Sequence, residues 1–285
     1  MNYFMASSAK EALAYLTAAD GQGVIIAGGT DLMVDMGAGK IKVETAVDVT
    51  RASDMREITV EEGKLVIGAS VTLTEIARSP LVNQYYPSLA KGAGTVGSLQ
   101  IRNTATLTGN VVSAQPAGDA AMALAPLNPV FTVLSEEGSR ELTMAEMYKG
   151  FGKSNIDHSR ELVTKISIPV PEECEKAAFI RLELRKSLSL PMLNCAAFVH
   201  FEGDKVGYAR ITMGPVGVGP VRAVEAEAYL AGRELTEEVI HHAGELALEN
   251  ANPRSNPLRG SKEYRLETLP VLVERALAEC ARQMG

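Results

Sequence analysis

The apolar run Val24-Ile25-Ile26-Ala27 leads directly into Gly28-Gly29-Thr30-Asp31-Leu32 near the N-terminus. A short apolar run bounded by glycines is typical of a buried strand. Two adjacent glycines after such a strand let backbone N–H groups approach a ligand closely, which suits a phosphate or pyrophosphate. A tight turn that binds nothing also explains the pattern, and a lone Gly-Gly pair favours that simpler interpretation. The dinucleotide-binding pattern G-x-G-x-x-G is absent.

A second polar segment extends over residues 100–119 and is rich in Thr, Ser, Asn and Gly. The residues that follow, 120–127, carry no charge and predict a buried helix. Polar groups that lie next to a buried helix need hydrogen-bond partners. Either the backbone of the segment itself or a bound polar cofactor can supply these partners, and the residues alone leave both interpretations open.

The amino-acid composition and net charge exclude some classes of function. The chain has 285 residues, 46% of them hydrophobic and 22% charged, with 28 basic against 35 acidic residues and a net charge of −7. Such a surface repels phosphate backbones and anionic membranes, so no nucleic-acid partner is expected. The N-terminus lacks the basic and apolar pattern of a signal peptide, and no apolar run is long enough to predict a membrane span. The three cysteines lie far apart without C-x-x-C spacing, which indicates a reducing cytoplasm and no iron–sulfur cluster on this chain.

Strand and helix patterns predict a mixed α+β chain in two parts. The charged segment Pro169–Lys176 contains two prolines and is the predicted boundary, which divides the chain into domains at 1–172 and 173–285. Beyond it, residues 193–201 and 205–213 flank the turn Glu202-Gly203-Asp204 and predict a β-hairpin. The remainder predicts amphipathic helices.

Four motifs taken together point to a family: Ala27–Leu32, Ile101-Arg102-Asn103, Thr106–Asn110 and Pro116-x-x-Asp119. With the C-terminal run Pro220-Val221-Arg222-Ala223, they resemble the FAD-binding (medium) subunits of the molybdenum hydroxylases. That family includes the flavin subunits or domains of xanthine dehydrogenase and carbon monoxide dehydrogenase. The resemblance covers the whole chain. It implies a two-part FAD-binding domain of the PCMH or vanillyl-alcohol-oxidase-like type, followed by a smaller α+β domain made of a hairpin sheet and helices.

The resemblance also implies a role for individual residues. Residues of the first loop would hold the FAD pyrophosphate, mostly through backbone N–H groups, and those of the second loop would face the diphosphate and the flavin. Val96 would lie near the adenine, Asp119 near the flavin or ribityl chain, and the backbone of Val163 near the isoalloxazine. The cofactor-binding residues implied in this way are Ile25, Ile26, Ala27, Gly28, Gly29, Thr30, Asp31, Leu32, Val96, Ile101, Thr106, Leu107, Thr108, Gly109, Asn110, Asp119, Val163 and Arg181.

Three positions depart from the family pattern. Thr108 replaces the first of the two glycines that usually precede the asparagine of the second loop. Ser189 stands where an aspartate is common, and Arg181 where a lysine is common. The histidines lack the spacing of metal ligands, and no nucleophile motif is present, so neither a metal site nor a catalytic residue is predicted.

The expected function is that of an FAD-binding oxidoreductase subunit. Electrons from a molybdenum-cofactor large subunit would pass through a [2Fe-2S] small subunit to FAD, and then to NAD or another acceptor. Two alternatives remain open: a free-standing flavin reductase of the same superfamily, and a non-catalytic assembly subunit with a decayed FAD loop. The organic substrate is not encoded here, because its pocket would belong to the molybdenum subunit.

Overall fold

A computed structural model describes residues 1–284 of the chain. The N-terminal part begins with a small parallel sheet in the order β1-β3-β2. Its strands are β1 (Asn2–Met5), β2 (Gly23–Ile26) and β3 (Thr45–Asp48), and its helices are α1 (Ala9–Ala18) and α2 (Leu32–Gly37). Ser8 caps α1 by accepting a hydrogen bond from the Glu11 N–H at 3.2 Å. The apolar run predicted as a strand forms most of β2, which ends at Ile26, separated from the glycine pair by one residue.

A five-stranded antiparallel sheet forms the second layer, in the order β4-β5-β10-β6-β7. Its strands are β4 (Ile58–Glu61), β5 (Lys64–Gly68), β6 (Val130–Ser135), β7 (Gly138–Thr143) and β10 (Leu162–Pro169). A separate two-stranded ribbon consists of β8 (Tyr148–Gly150) and β9 (Lys153–Ser154). The central strand β10 carries a bulge between Val163 and Lys165. Such bulges bend a strand and redirect its side chains.

Short helices connect β5 to β6. They are α3 (Leu73–Arg78), α4 (Pro80–Tyr85), α5 (Pro87–Thr95), α6 (Leu99–Arg102), α7 (Leu107–Val112) and α8 (Asp119–Leu124). A further turn of helix, α9 (Met144–Met147), follows β7. Thr72 and Glu75 form a capping box at the start of α3. The uncharged segment predicted as a buried helix is α8, and a 3₁₀ turn (Ala125–Leu127) continues it.

The C-terminal part is an antiparallel sheet in the order β11-β12-β13-β14, covered by helices. Its strands are β11 (Glu175–Leu182), β12 (Leu193–Glu202), β13 (Lys205–Gly214) and β14 (Val221–Arg222), and its helices are α10 (Val224–Leu230), α11 (Glu237–Leu246) and α12 (Lys262–Arg282), with a 3₁₀ turn at Ala247–Asn250. The predicted hairpin is β12–β13. Within residues 1–284, no helix combines the length and the apolar character that crossing a bilayer requires.

The sheet of the C-terminal part is buried on both faces. Along β11 and β12, Phe179 and Phe198 pack into the core of the N-terminal part. Their neighbours Cys195, Ala197 and Val199 point to the opposite face and pack under α12. Because side chains of a strand alternate between faces, one strand contributes to two cores at once. The two parts of the chain are therefore joined through a shared layer of side chains.

Truncation of Phe179 tests this shared layer. The ring is 1% exposed, so Phe179→Ala is expected to lower the free energy of unfolding by about 3–5 kcal/mol. Phe179 lies in the C-terminal sheet but packs into the core of the N-terminal part. Because the two parts share this layer, they should still unfold together, and chemical unfolding of the variant should remain a single transition. Leu258→Ala is the control, since Leu258 is 78% exposed and its truncation should change stability by no more than about 0.5 kcal/mol. Two separate unfolding transitions in the wild-type chain would contradict the shared layer.

Candidate cofactor cleft

The turn between β2 and α2 lies against the connection between α6 and α7. A Cβ atom on Gly28 would come within 2.2 Å of the Thr104 carbonyl oxygen and 2.6 Å of the Ala105 Cα atom. Because those atoms belong to backbone, they cannot rotate away, and only glycine fits. Gly29 has a φ of +67°, the left-handed region that glycine adopts without strain. Glycine is therefore required at both positions: at Gly28 by the close approach of backbone atoms, and at Gly29 by the backbone conformation.

The backbone N–H groups of this turn lack hydrogen-bond acceptors in the described part of the chain. Among the hydrogen bonds of residues 1–284, none is donated by an N–H from Ala27 through Leu32. Most buried or half-buried N–H groups in proteins are paired, so a consecutive run of free donors is unusual. Successive N–H groups around a left-handed residue form a concave nest that attracts anions. The turn is therefore prepared to bind a negatively charged group.

A second wall of the cleft begins at α6. The Arg102 guanidinium donates to the carbonyl oxygens of Val96 and Gly97 at 3.0 and 3.1 Å. These bonds hold the turn that precedes α6 and bring Val96 and Ile101 to the cleft. Arg102 therefore has a structural role, and the apolar side chains beside it provide the contact surface.

The loop at the start of α7 completes that wall. The Thr106 hydroxyl accepts a hydrogen bond from the Gly109 N–H at 2.9 Å, which caps the helix. The Asn110 side-chain oxygen accepts from the Ala121 N–H at 3.0 Å and so joins α7 to α8. Thr108 lines the cleft, and its hydroxyl oxygen is buried without a hydrogen-bond partner among the described residues. A buried hydroxyl of this kind usually signals a ligand or an ordered water.

A buried charge cluster lies at the inner end of the cleft. Asp119 forms an ion pair with the Arg181 Nε at 3.0 Å and accepts a hydrogen bond from the Asn194 side chain at 2.8 Å. Burial raises the pKa of the Asp119 carboxyl to about 6, although the Arg181 charge opposes that shift. The other end of the guanidinium donates to the Ser189 carbonyl. The cluster joins α8 of the N-terminal part to β11 and β12 of the C-terminal part.

These elements enclose a cleft of about 1470 Å³ between the two parts of the chain. The C-terminal part contributes Ser189 and Leu190, the turn around Pro215 and Val218, and a rim between α11 and α12 that includes Arg254 and Arg259. Arg265 is also at this wall, and its guanidinium donates to the Pro215 and Arg259 carbonyls. A volume above the usual range for small-ligand pockets suits a dinucleotide-sized ligand.

Most of the residues predicted from the sequence line this cleft. They are Ile25, Ile26, Ala27, Gly28, Gly29, Thr30, Asp31, Leu32, Val96, Ile101, Thr106, Thr108, Gly109, Asn110, Asp119 and Val163. The structure places Leu107 elsewhere: its side chain is 1% exposed and packs into the core, because the turn of α7 directs it away from the cleft. Arg181 also lies behind the wall, where it contacts Asp119 rather than the open space.

Sequence reasoning missed the contribution of the ribbon and of the C-terminal rim. Phe151 and His158 line the cleft from the N-terminal part, and Asn252, Arg254 and Arg259 from the C-terminal part. No local pattern marks these residues. Their position depends on long-range packing, and the single sequence signal nearby is the helix-ending pair Asn252-Pro253.

Three features of the cleft fit FAD. The free N–H groups of Ala27–Leu32 match its pyrophosphate, the unpaired Thr108 hydroxyl offers one further polar contact, and the volume accommodates a molecule of that size. Asp31, at the same turn, has a pKa raised by burial and by Asp35.

Two family models match the chain. The model described as the FAD binding domain in molybdopterin dehydrogenase matches residues 1–171. The model described as the CO dehydrogenase flavoprotein C-terminal domain matches residues 178–280.

The names of similar curated proteins also describe FAD-binding subunits. The xanthine dehydrogenase FAD-binding subunit of Escherichia coli O157:H7 is 26% identical over 285 residues, covering 100% of this chain and 97% of the relative. The nicotinate dehydrogenase FAD-subunit of Eubacterium barkeri is 32% identical over 219 residues, covering 76% of this chain and 74% of the relative.

A solved structure agrees along its whole length. One chain of carbon monoxide dehydrogenase from Hydrogenophaga pseudoflava superimposes with a TM-score of 0.94 at 25% identity, covering 100% of this chain and 98% of that chain. The predicted two-part FAD-binding fold is confirmed by this match and by the two family models. The relatives are subunits of dehydrogenases, which are oxidoreductases. The chain therefore belongs to the FAD-binding subunits of the molybdenum hydroxylases, and its cofactor is FAD.

Proposed function

We propose that this chain relays electrons through FAD within a molybdenum hydroxylase complex. The observation that carries the proposal is the run of free N–H groups at Ala27–Leu32, which face a cleft of dinucleotide size. When bound, FAD supplies the redox chemistry, and the protein supplies binding, orientation and electrostatics.

In this proposal the two loops hold the cofactor from opposite sides. The N–H groups of Ala27–Leu32 bind the pyrophosphate, and Thr106–Asn110 contact the diphosphate and the flavin. Val96 lies by the adenine, Asp119 by the ribityl chain, and Val163 by the isoalloxazine. Arg181 acts through Asp119, because its guanidinium holds the carboxylate that reaches the cleft. The place of both loops on the cleft and their polar groups support these roles.

The partners in this proposal are a molybdenum-cofactor large subunit and a [2Fe-2S] small subunit, with NAD as one acceptor to test. Relatives named as the medium chain of carbon monoxide dehydrogenase and the FAD-subunit of nicotinate dehydrogenase support a role within a complex. The three cysteines are free thiols, which supports a reducing cytoplasm as the compartment.

The two alternatives make different demands on the cleft. A free-standing flavin reductase needs a proton donor beside the flavin. Asp119, with its pKa near 6, is already bound by Arg181 and Asn194. An assembly subunit with a decayed loop would not preserve the free N–H run and the left-handed Gly29.

The variant Gly29→Val tests the first loop. A β-branched residue at a φ of +67° is strongly strained, so the turn should lose its nest and the chain its flavin while the fold persists. Gly37→Val is the matched control, because a Cβ on Gly37 meets no atom within 4 Å. Flavin content per chain is measured, with circular dichroism as the check on folding. Full flavin content in a folded Gly29→Val chain would refute the role of this turn.

The Thr108 hydroxyl is tested by a substitution that keeps the shape of the side chain. Thr108→Val removes the hydrogen-bonding oxygen and should weaken FAD binding by about 0.5–1.5 kcal/mol, or roughly two- to tenfold. Thr108→Ser keeps the oxygen and should bind within about twofold of the wild type. Titration of the apoprotein with FAD measures both. Equal affinity for all three chains would show that the hydroxyl does not contact the cofactor.

The relay itself is tested with the isolated chain and with the complex. The flavin of the isolated chain should be reduced by artificial donors, but the chain should not oxidise purines, aldehydes or carbon monoxide. Addition of the molybdenum and iron–sulfur subunits should restore flavin reduction by substrate, and NAD is then tested as the acceptor. Substrate turnover by this chain alone would instead favour the free-standing reductase.

A further inference from the structure

A cluster of metal-binding side chains lies outside the cofactor cleft, at the start of β11. Its members are Glu172, Cys174 and His200, and their ligand atoms all lie within 4.8 Å of one another. The Cys174 Sγ is 3.7 Å from the His200 Nδ1 and 3.6 Å from a Glu172 carboxylate oxygen. Glu172 and Cys174 belong to the segment before β11, whereas His200 lies near the end of β12. None of the three lines the cleft.

Two of the three separations between ligand atoms are close to those expected around one tetrahedral ion. Zinc–sulfur bonds are about 2.3 Å long and zinc–nitrogen or zinc–oxygen bonds about 2.0–2.2 Å. Two such ligands at a tetrahedral angle are therefore separated by roughly 3.3–3.6 Å. The observed distances from the Cys174 sulfur to nitrogen and to oxygen are only slightly longer. The Glu172 oxygen and the His200 nitrogen lie within 4.8 Å of each other, and side-chain rotation would have to bring them to the same separation.

Neighbouring groups fix the orientation of the imidazole. The His200 ring stacks on Tyr208, with ring centroids 4.8 Å apart and planes inclined by 7°. The Tyr208 hydroxyl donates to Glu175 at 2.7 Å, and the Glu172 N–H donates to the other Glu175 oxygen at 2.9 Å. The same Glu175 carboxylate lies 3.4 Å from the His200 Nδ1. The stacking holds the ring in place, and the Glu175 carboxylate adds negative charge beside the nitrogen that faces Cys174.

We propose that Glu172, Cys174 and His200 bind a divalent ion of the zinc class, with water in the fourth position. A thiolate together with an imidazole selects zinc over magnesium or calcium, which prefer oxygen ligands. Because the ligands come from the connecting segment and from β12, the bound ion would fix the segment between β10 and β11 to the C-terminal sheet. This site is independent of the FAD proposal.

Metal titration of the full chain tests the site. The wild type should bind one Zn²⁺ per chain in competition with a chromophoric chelator, and Co²⁺ in its place should give a thiolate charge-transfer absorption in the difference spectrum. Cys174→Ser should abolish that absorption, and both Cys174→Ser and His200→Gln should weaken Zn²⁺ binding more than tenfold. His241→Gln is the matched control: this histidine pairs with Glu274 at 2.8 Å but has no thiol in its cluster, so Zn²⁺ binding should not change.

Alkylation of Cys174 provides a second readout that does not depend on affinity. Cys195 and Cys280 are fully buried, so iodoacetamide should modify Cys174 first. Zn²⁺ should protect Cys174 in the wild type and in His241→Gln, but not in His200→Gln. Equal Zn²⁺ affinity of wild type and Cys174→Ser, or alkylation of Cys174 that Zn²⁺ does not slow, would overturn the proposal.

Discussion

The close approach of Gly28 to the backbone of Thr104 and Ala105 is the contact on which the cofactor cleft depends. It brings the turn after β2 against the connection between α6 and α7, so two polar loops distant in sequence face one space. A side chain at Gly28 would clash with these backbone atoms and force the two loops apart. The free N–H groups of one loop and the Thr108 hydroxyl of the other can then contact the same ligand.

The second constraint is electrostatic and connects the two parts of the chain. Asp119 comes from α8, Arg181 from β11 and Asn194 from β12, and all three are buried. A buried carboxylate without a partner would be costly, so the cleft can present Asp119 only while the C-terminal sheet is in place. The C-terminal part therefore helps to build the cofactor site even though most of the loop residues belong to the N-terminal part.

Local patterns were sufficient for features that depend on local geometry. The strand before Gly28 and the β12–β13 hairpin follow from apolar runs and turn residues, and the structure contains both. The position of Leu107 was not predictable in this way, because it depends on the rotation of a short helix that contiguous motif residues do not reveal. Likewise, Arg254 and Arg259 reach the cleft through packing of distant segments, and the role of Arg181 depends on a partner 62 positions earlier in the chain, at Asp119.

The sheet that serves two cores limits how the molecule can move. Rotation of the C-terminal part away from the N-terminal part, as in a hinged lid, would expose the rings of Phe179 and Phe198 to water. Apolar transfer alone would cost about 1.5–3 kcal/mol for each ring, and the Asp119–Arg181 pair would separate as well. Admitting a cofactor by hinge opening would therefore require a large free energy. Displacement of the rim loops around Leu190 and Arg254 would cost less free energy, because both cores would stay closed while the cofactor enters or leaves.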